Sequence, residues 1–89
     1  MALAGTNTNV ITMTSAADTI TGKVILETIR WIGTTAGDDL IIDDSAGNLV
    51  FQSKAETNNF TDSMSFSHMV FDGLVIDTID SGTVYVYRK

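Results

Sequence analysis

Ser67, His68 and Asp72 come nearest in this sequence to a hydrolytic set, in which an imidazole takes a proton from a hydroxyl and a carboxylate orients the ring. Their spacing argues against that chemistry. Neighbouring side chains of an extended chain point to opposite faces, so Ser67 and His68 diverge, and no G-x-S-x-G elbow is present to lift a serine into a site. The pairs Asp38-Asp39 and Asp43-Asp44 raise the question of calcium, which collects about six to eight oxygen ligands. They sit at opposite ends of a short apolar segment and do not follow the D-x-[DN]-x-[DN]-G loop, so they read as turn formers and as charges protecting a sheet edge. Gly33 and Gly37 lack the Lys-Ser/Thr that follows a phosphate loop. With no cysteine and one histidine, a transition-metal site has few donors to draw on. No catalytic residue, metal or cofactor is assigned, and the expectation is a protein without enzymatic activity.

The elements that carry these residues read as strands, because Thr, Val and Ile dominate and Gly, Asp, Asn and Ser supply the punctuation. Val84-Tyr85-Val86-Tyr87 alternates valine with tyrosine. Asp80-Ser81-Gly82 separates it from Leu74-Val75-Ile76-Asp77-Thr78-Ile79, and Asp72-Gly73 separates that run from Met64 to Phe71, which predicts a three-stranded meander. Asp39 to Asp43 and Asn48 to Gln52 flank Asp44-Ser45-Ala46-Gly47, a hairpin with glycine at a left-handed position. Asn9 to Thr14 is a polar edge strand. Lys23 to Ile32 is ambiguous, since Ile25, Ile29 and Ile32 also share a helical face. Its β-branched content, Trp31 and the poor helix start Thr21-Gly22-Lys23 favour a strand. The fold class expected is all-β, an antiparallel β-sandwich or small β-barrel of about seven strands.

Length and charge narrow the role. A chain of 89 residues with 44% hydrophobic content forms a single domain, residues 1–89, with residues 1–9 either a flexible N-terminal arm or a frayed end. A domain this small buries little more than ~60% of its unfolded surface. Lacking disulfides, it has association as its remaining route to added stability. A net charge of −6 argues against nucleic acid, which needs clustered Lys and Arg, and only Arg88 and Lys89 are adjacent. The first residues lack a basic region followed by an apolar run, and no stretch approaches the ~20 apolar residues of a membrane span, so a soluble, unexported protein is expected.

Several strands are apolar on both sides: Ile41 opposes Leu40 and Ile42, Val50 opposes Leu49 and Phe51, and Val75 and Ile79 oppose Leu74 and Ile76. Either the ends of central strands pass under loops, or the second face packs on further copies in a ring or trimer, which the shortage of loops favours. Trp31, Tyr85, Tyr87, Val75 and Ile79 are the interface candidates. The two tyrosines join apolar bodies to hydroxyls, although an ordinary outer-face pair would look the same.

From Asp18 onward the order of features resembles a group of small uncharacterised proteins of tailed bacteriophages and prophages, encoded alongside virion structural genes. The likeness is carried by Thr21-Gly22, Ile29-Arg30-Trp31-Ile32-Gly33, Thr35-Ala36-Gly37-Asp38, Asp44-Ser45-Ala46-Gly47-Asn48, Phe71-Asp72-Gly73-Leu74 and Ser81-Gly82-Thr83-Val84-Tyr85-Val86-Tyr87. This copy departs in pairing Asp38 with Asp39 and Asp43 with Asp44. The resemblance implies a virion structural protein, with capsid decoration, or cement, as the leading role and the major capsid protein as partner. It would be a homo-oligomer, trimer favoured, made in the host cytoplasm and placed on the outer capsid surface, since packaged DNA would repel its charge. The alternatives are a tail, adaptor or spike component, or a host-glycan-binding module whose aromatic platform would use Trp31, Tyr85 or Tyr87.

Overall fold

A computed structural model describes residues 9–89. The arm expected over residues 1–9 therefore lies, except for Asn9, outside the described residues. Alternating apolar residues generate strands throughout: β1 (Val10–Met13), β2 (Thr19–Ile32), β3 (Asp39–Asp43), β4 (Leu49–Lys54), β5 (Asp62–Ile79) and β6 (Thr83–Arg88). All pair antiparallel in one sheet, in the order β1-β6-β2-β5-β3-β4. The all-β class holds, the ambiguous segment Lys23–Ile32 is strand, and β1 is an edge strand. The sheet coils until its inner face encloses a single core, to which Met13, Leu26, Trp31, Leu40, Phe51, Ile76 and Val86 contribute, at least one from each strand. It does not close, because β1 and β4 remain its two edges. A bond from Ser53 Oγ on β4 to Asp62 Oδ2 on β5, 2.6 Å long and between strands that are not ladder neighbours, shows how far the β4 edge folds back.

The predicted meander is corrected. Met64–Phe71 and Leu74–Ile79 are one strand, β5, so the sheet has six strands. Asp72-Gly73 does not reverse the chain. Gly73, at φ +78°, lies against the β3–β4 turn, where an added Cβ would run into Ser45 Oγ and sit 3.0 Å from Ile20 O. Ser45 N donates to Asp72 O at 3.0 Å in the same place. The register shift here, with Gly22 at φ +87° on β2, makes this a bulge inside a continuous ladder. Thr21-Gly22 is accordingly inside β2 and not ahead of it. Asp80-Ser81-Gly82 does turn the chain, but β6 pairs with β1 and β2 and not with β5. The turn crosses the end of β2, where Trp31 Nε1 donates to Ser81 O at 2.9 Å and Thr35 N to Ser81 Oγ at 2.9 Å.

The β3–β4 hairpin forms as expected, with Gly47 at φ +87°. Its turn is held by the Asp44 carboxylate, which accepts the Asn48 N–H at 2.8 Å, the Ala46 N–H at 3.0 Å and the Asn48 side-chain amide at 3.1 Å. The Asn48 backbone N–H first, and then its side chain, keep this carboxyl below its ordinary 3.8. A depressed folded value contributes stability above the unfolded value of 3.8 that is lost as pH falls through the lower, folded one. Urea stability followed downward through that range should decline less in Asp44→Ala than in the parent chain. Identical acid dependence in the two would remove Asp44 from this role.

Candidate interaction surface

Which side chains reach the surface is decided on β5, whose inward-facing positions change phase three times. Asp62 and Met64 lie opposite Trp31 and Ile29 on β2, so the even positions face inward. Between Ser65 and Met69 the ladder shifts, and Ser67 and His68 both take left-handed conformations, φ +51° and +63°. Beyond this bulge Met69 and Phe71 lie opposite the buried Leu26 and Val24, and odd positions face inward. The bulge at Gly73 restores Leu74 and Ile76 to the core. A further shift at Asp77 then places Ile79 opposite the buried Leu40.

This phase pattern does not bring the five interface candidates together. Trp31 is fully enclosed, at 0% exposure, and Ile79 packs against the core. Asp77 is the reason Ile79 leaves the face of Val75, which lies on the outer side beside Thr19 and Asp43. Tyr85 and Tyr87 are half-buried on the outer side of β6, opposite Thr12 and Arg30 and opposite Val10 and Thr28 respectively. The strand β2 stands between them and β5. An aromatic platform built on Trp31 has no exposed indole to offer.

Exposed apolar side chains gather elsewhere. Leu49, Met64 and Met69 are 59%, 49% and 55% exposed and line, with Val50, Ser65, Phe66, Ser67 and Phe71, a depression of about 440 Å³ between β4 and the first half of β5. Its floor is continuous with the core through Phe66, which is buried and meets Phe71 edge-on at a ring-centroid distance of 5.9 Å. β5 has β2 along one edge here, and its ladder to β3 begins only at Val75. The inner face of Met64–Phe71 therefore reaches solvent, although the same face is covered further along the strand. A second exposed pair, Ile25 and Val70, lies side by side on the outer face.

The depression is also free of carboxylates and of Lys and Arg. Its walls come from segments 45–53 and 63–71, whose one titratable side chain is His68. His68 Nε2 lies 3.3 Å from Glu27 Oε2 on β2 and is not directed at Ser67 or Asp72, so the hydrolytic set is not assembled. One member of each aspartate pair is spent on structure: Asp39 pairs with Lys54 at 3.1 Å, and Asp44 holds its turn. Among the described residues no three His, Asp or Glu side chains converge in a way that could hold a metal ion. Of the five Lys and Arg residues, Lys23, Arg88 and Lys89 line a separate depression of about 310 Å³ with Asn9 and Ile25. The sequence signal for the apolar site was the pairing of methionines with an uncharged run, which a strict two-residue alternation hides. Comparison with known protein families, curated proteins and solved structures finds no match to this chain.

Proposed function

We propose that this chain is a non-enzymatic structural protein of a phage virion, acting as a decoration or cement protein that stabilises the head by bridging capsomers. Its partner on this reading is the major capsid protein, at the outer surface of the shell. The observation that carries the reading is the uncharged apolar site of Leu49, Met64 and Met69, left open on a small domain that already encloses its own core. Apolar side chains grouped in this way gain by being covered, and contiguous patches of the kind mark contacts with other polypeptides. The sequence likeness to small phage proteins supplies the particle, and the net charge of −6 favours its outer side over the face toward packaged DNA. Several weak contacts per particle would suffice, because linked sites can raise avidity by ~10²–10⁴ over one alone.

The test is to add the purified protein to expanded heads that lack it. Decorated heads are expected to resist heat and shear that open bare heads, and the protein should sediment with them. Bare and treated heads that denature together would end the proposal.

A further inference from the structure

We infer that the depression where β6 ends beside β2, lined by Asn9, Lys23, Ile25, Arg88 and Lys89, is a binding site for a single phosphate group. Charge supplies the first argument. The chain has 11 acidic residues to five Lys and Arg, yet three of the five meet here and no carboxylate is among the lining side chains. The segments that form the walls explain this: β6 and residues 1–9 contain no Asp or Glu, and Glu27, the one acid of β2, faces His68. Asp72 lies across the ladder from Lys23, but the two ion pairs among the described residues are Lys54–Asp39 and His68–Glu27, so neither Lys23 nor Lys89 is in one. Cations gathered without a counter-charge repel one another, and an anion placed among them removes that cost.

Construction supplies the second argument. Lys23 and Arg88 are far apart in sequence, and the β2–β6 ladder brings them together: Leu26 lies opposite Arg88, Lys89 N donates to Ile25 O at 2.9 Å, and Arg88 N donates to Asn9 O at 2.8 Å. The cations thus stand on main chain fixed by hydrogen bonds, around one hollow. Donors and size give the ligand class. Two ammonium groups, a guanidinium and a side-chain amide offer more N–H groups than one carboxylate accepts, and they match the three oxygens and the charge of about −1.5 to −2 of a phosphate monoester. A hollow of about 310 Å³ has room for that group and, beside Ile25, for part of what bears it. Nucleic acid does not fit, because it needs a track of cations; of the other two, Arg30 lies opposite Ser63 and Tyr85, and Lys54 is bound to Asp39.

The intact chain is titrated with inorganic phosphate, glucose 6-phosphate, succinate and glucose at pH ~7.5, and the amide NMR shifts of residues 23–26 and 88–89 are followed. Phosphate should bind with Kd ~1 mM, the scale of an exposed ionic site, and weaken several-fold between ~20 and ~200 mM NaCl; glucose should not bind. Inorganic phosphate alone identifies the free ion as the ligand, and glucose 6-phosphate as well identifies an esterified group. Lys23→Gln and Arg88→Gln should each weaken binding ~5-fold, and Asp72→Asn should tighten it ~2-fold by removing the facing carboxylate. Arg30→Gln removes the same charge outside the hollow and should leave the affinity unchanged. Shifts that are absent or spread over the whole surface, or a loss in Arg30→Gln equal to that in Lys23→Gln, would overturn the inference. Succinate binding as tightly as phosphate would overturn it too, giving the hollow to the carboxylates of an acidic protein segment. The site is separate from Leu49, Met64 and Met69, so a chain that binds phosphate but ignores heads sinks the decoration reading alone, and one that protects heads without binding phosphate sinks this inference alone.

Discussion

Replacing Trp31 with alanine is expected to cost about 3–5 kcal/mol of folding stability, the range for emptying an aromatic site in a packed core. The indole is fully enclosed, and it does two jobs at once. Its rings fill the core between β6 and β5, opposite Val84 and Asp62, and its Nε1 donates to Ser81 O, securing the crossing from β5 to β6. For a domain of this length the loss corresponds to a fall in thermal midpoint of roughly 15 °C or more, out of a total stability of about 5–15 kcal/mol. Trp31→Phe separates the two jobs, keeping much of the volume while leaving Ser81 O without its donor; it should cost about 1–3 kcal/mol. Circular dichroism melts of both variants check this, since the sole tryptophan is lost as a fluorophore. An alanine variant melting within ~2 °C of the parent would mean that the indole is not in the core.

The second large effect belongs to Gly82, in the same corner. Its φ is +83°, and a Cβ there would collide with Ile32 O, approach Trp31 Nε1 to 2.9 Å and Gly33 C to 3.4 Å. Two of these obstacles are backbone atoms of the β2 terminus, which can yield only by shifting the strand end. Gly82→Ala should therefore lose about 3 kcal/mol, combining left-handed strain of ~1–2 kcal/mol with displacement of the crossing. Gly47→Ala is the control, because Gly47 has the similar φ of +87° but nothing within 4 Å of its would-be Cβ. Its loss should be the strain alone, ~1 kcal/mol. Equal losses at the two glycines, measured by urea denaturation, would show that the contact with β2 carries no weight.

The sequence discloses the strands better than it discloses their faces. Thr- and Val-rich runs, the Asp44–Gly47 turn and the Val84/Val86 alternation with Tyr85 and Tyr87 all translate directly, because each depends on neighbouring residues only. The misreadings trace to bulges. A two-residue period carried from Leu74 to Ile79 puts Ile79 beside Val75, and the extra residue at Asp77 moves it to the core. Asp72-Gly73 has the composition of a turn, and nothing local distinguishes a glycine that reverses the chain from one that passes beneath Ser45. Ser67 and His68, both left-handed without being glycine, give no compositional warning at all, yet they bring Met69 into line with Met64 and so create the open site. Trp31 reads in the sequence as an interface candidate, and its full enclosure, with a hydrogen bond to a residue 50 positions away, puts it in the core instead.

The strand order also bears on when the protein can become a protein. During synthesis β2 emerges before β3 and β4, but its two flanking partners are β5 and β6, made after both, and β1 must wait for β6 as well. Of the pairings in the sheet, the β3–β4 hairpin alone joins consecutive strands. A nascent chain halted before Thr83 thus holds a long apolar ribbon with an open flank, and the middle of the sheet is completed only once β6 has emerged. Assembly this dependent on distant segments is slow and exposed to mispairing. The carboxylates spread along the chain also keep such unfinished copies apart until β6 arrives.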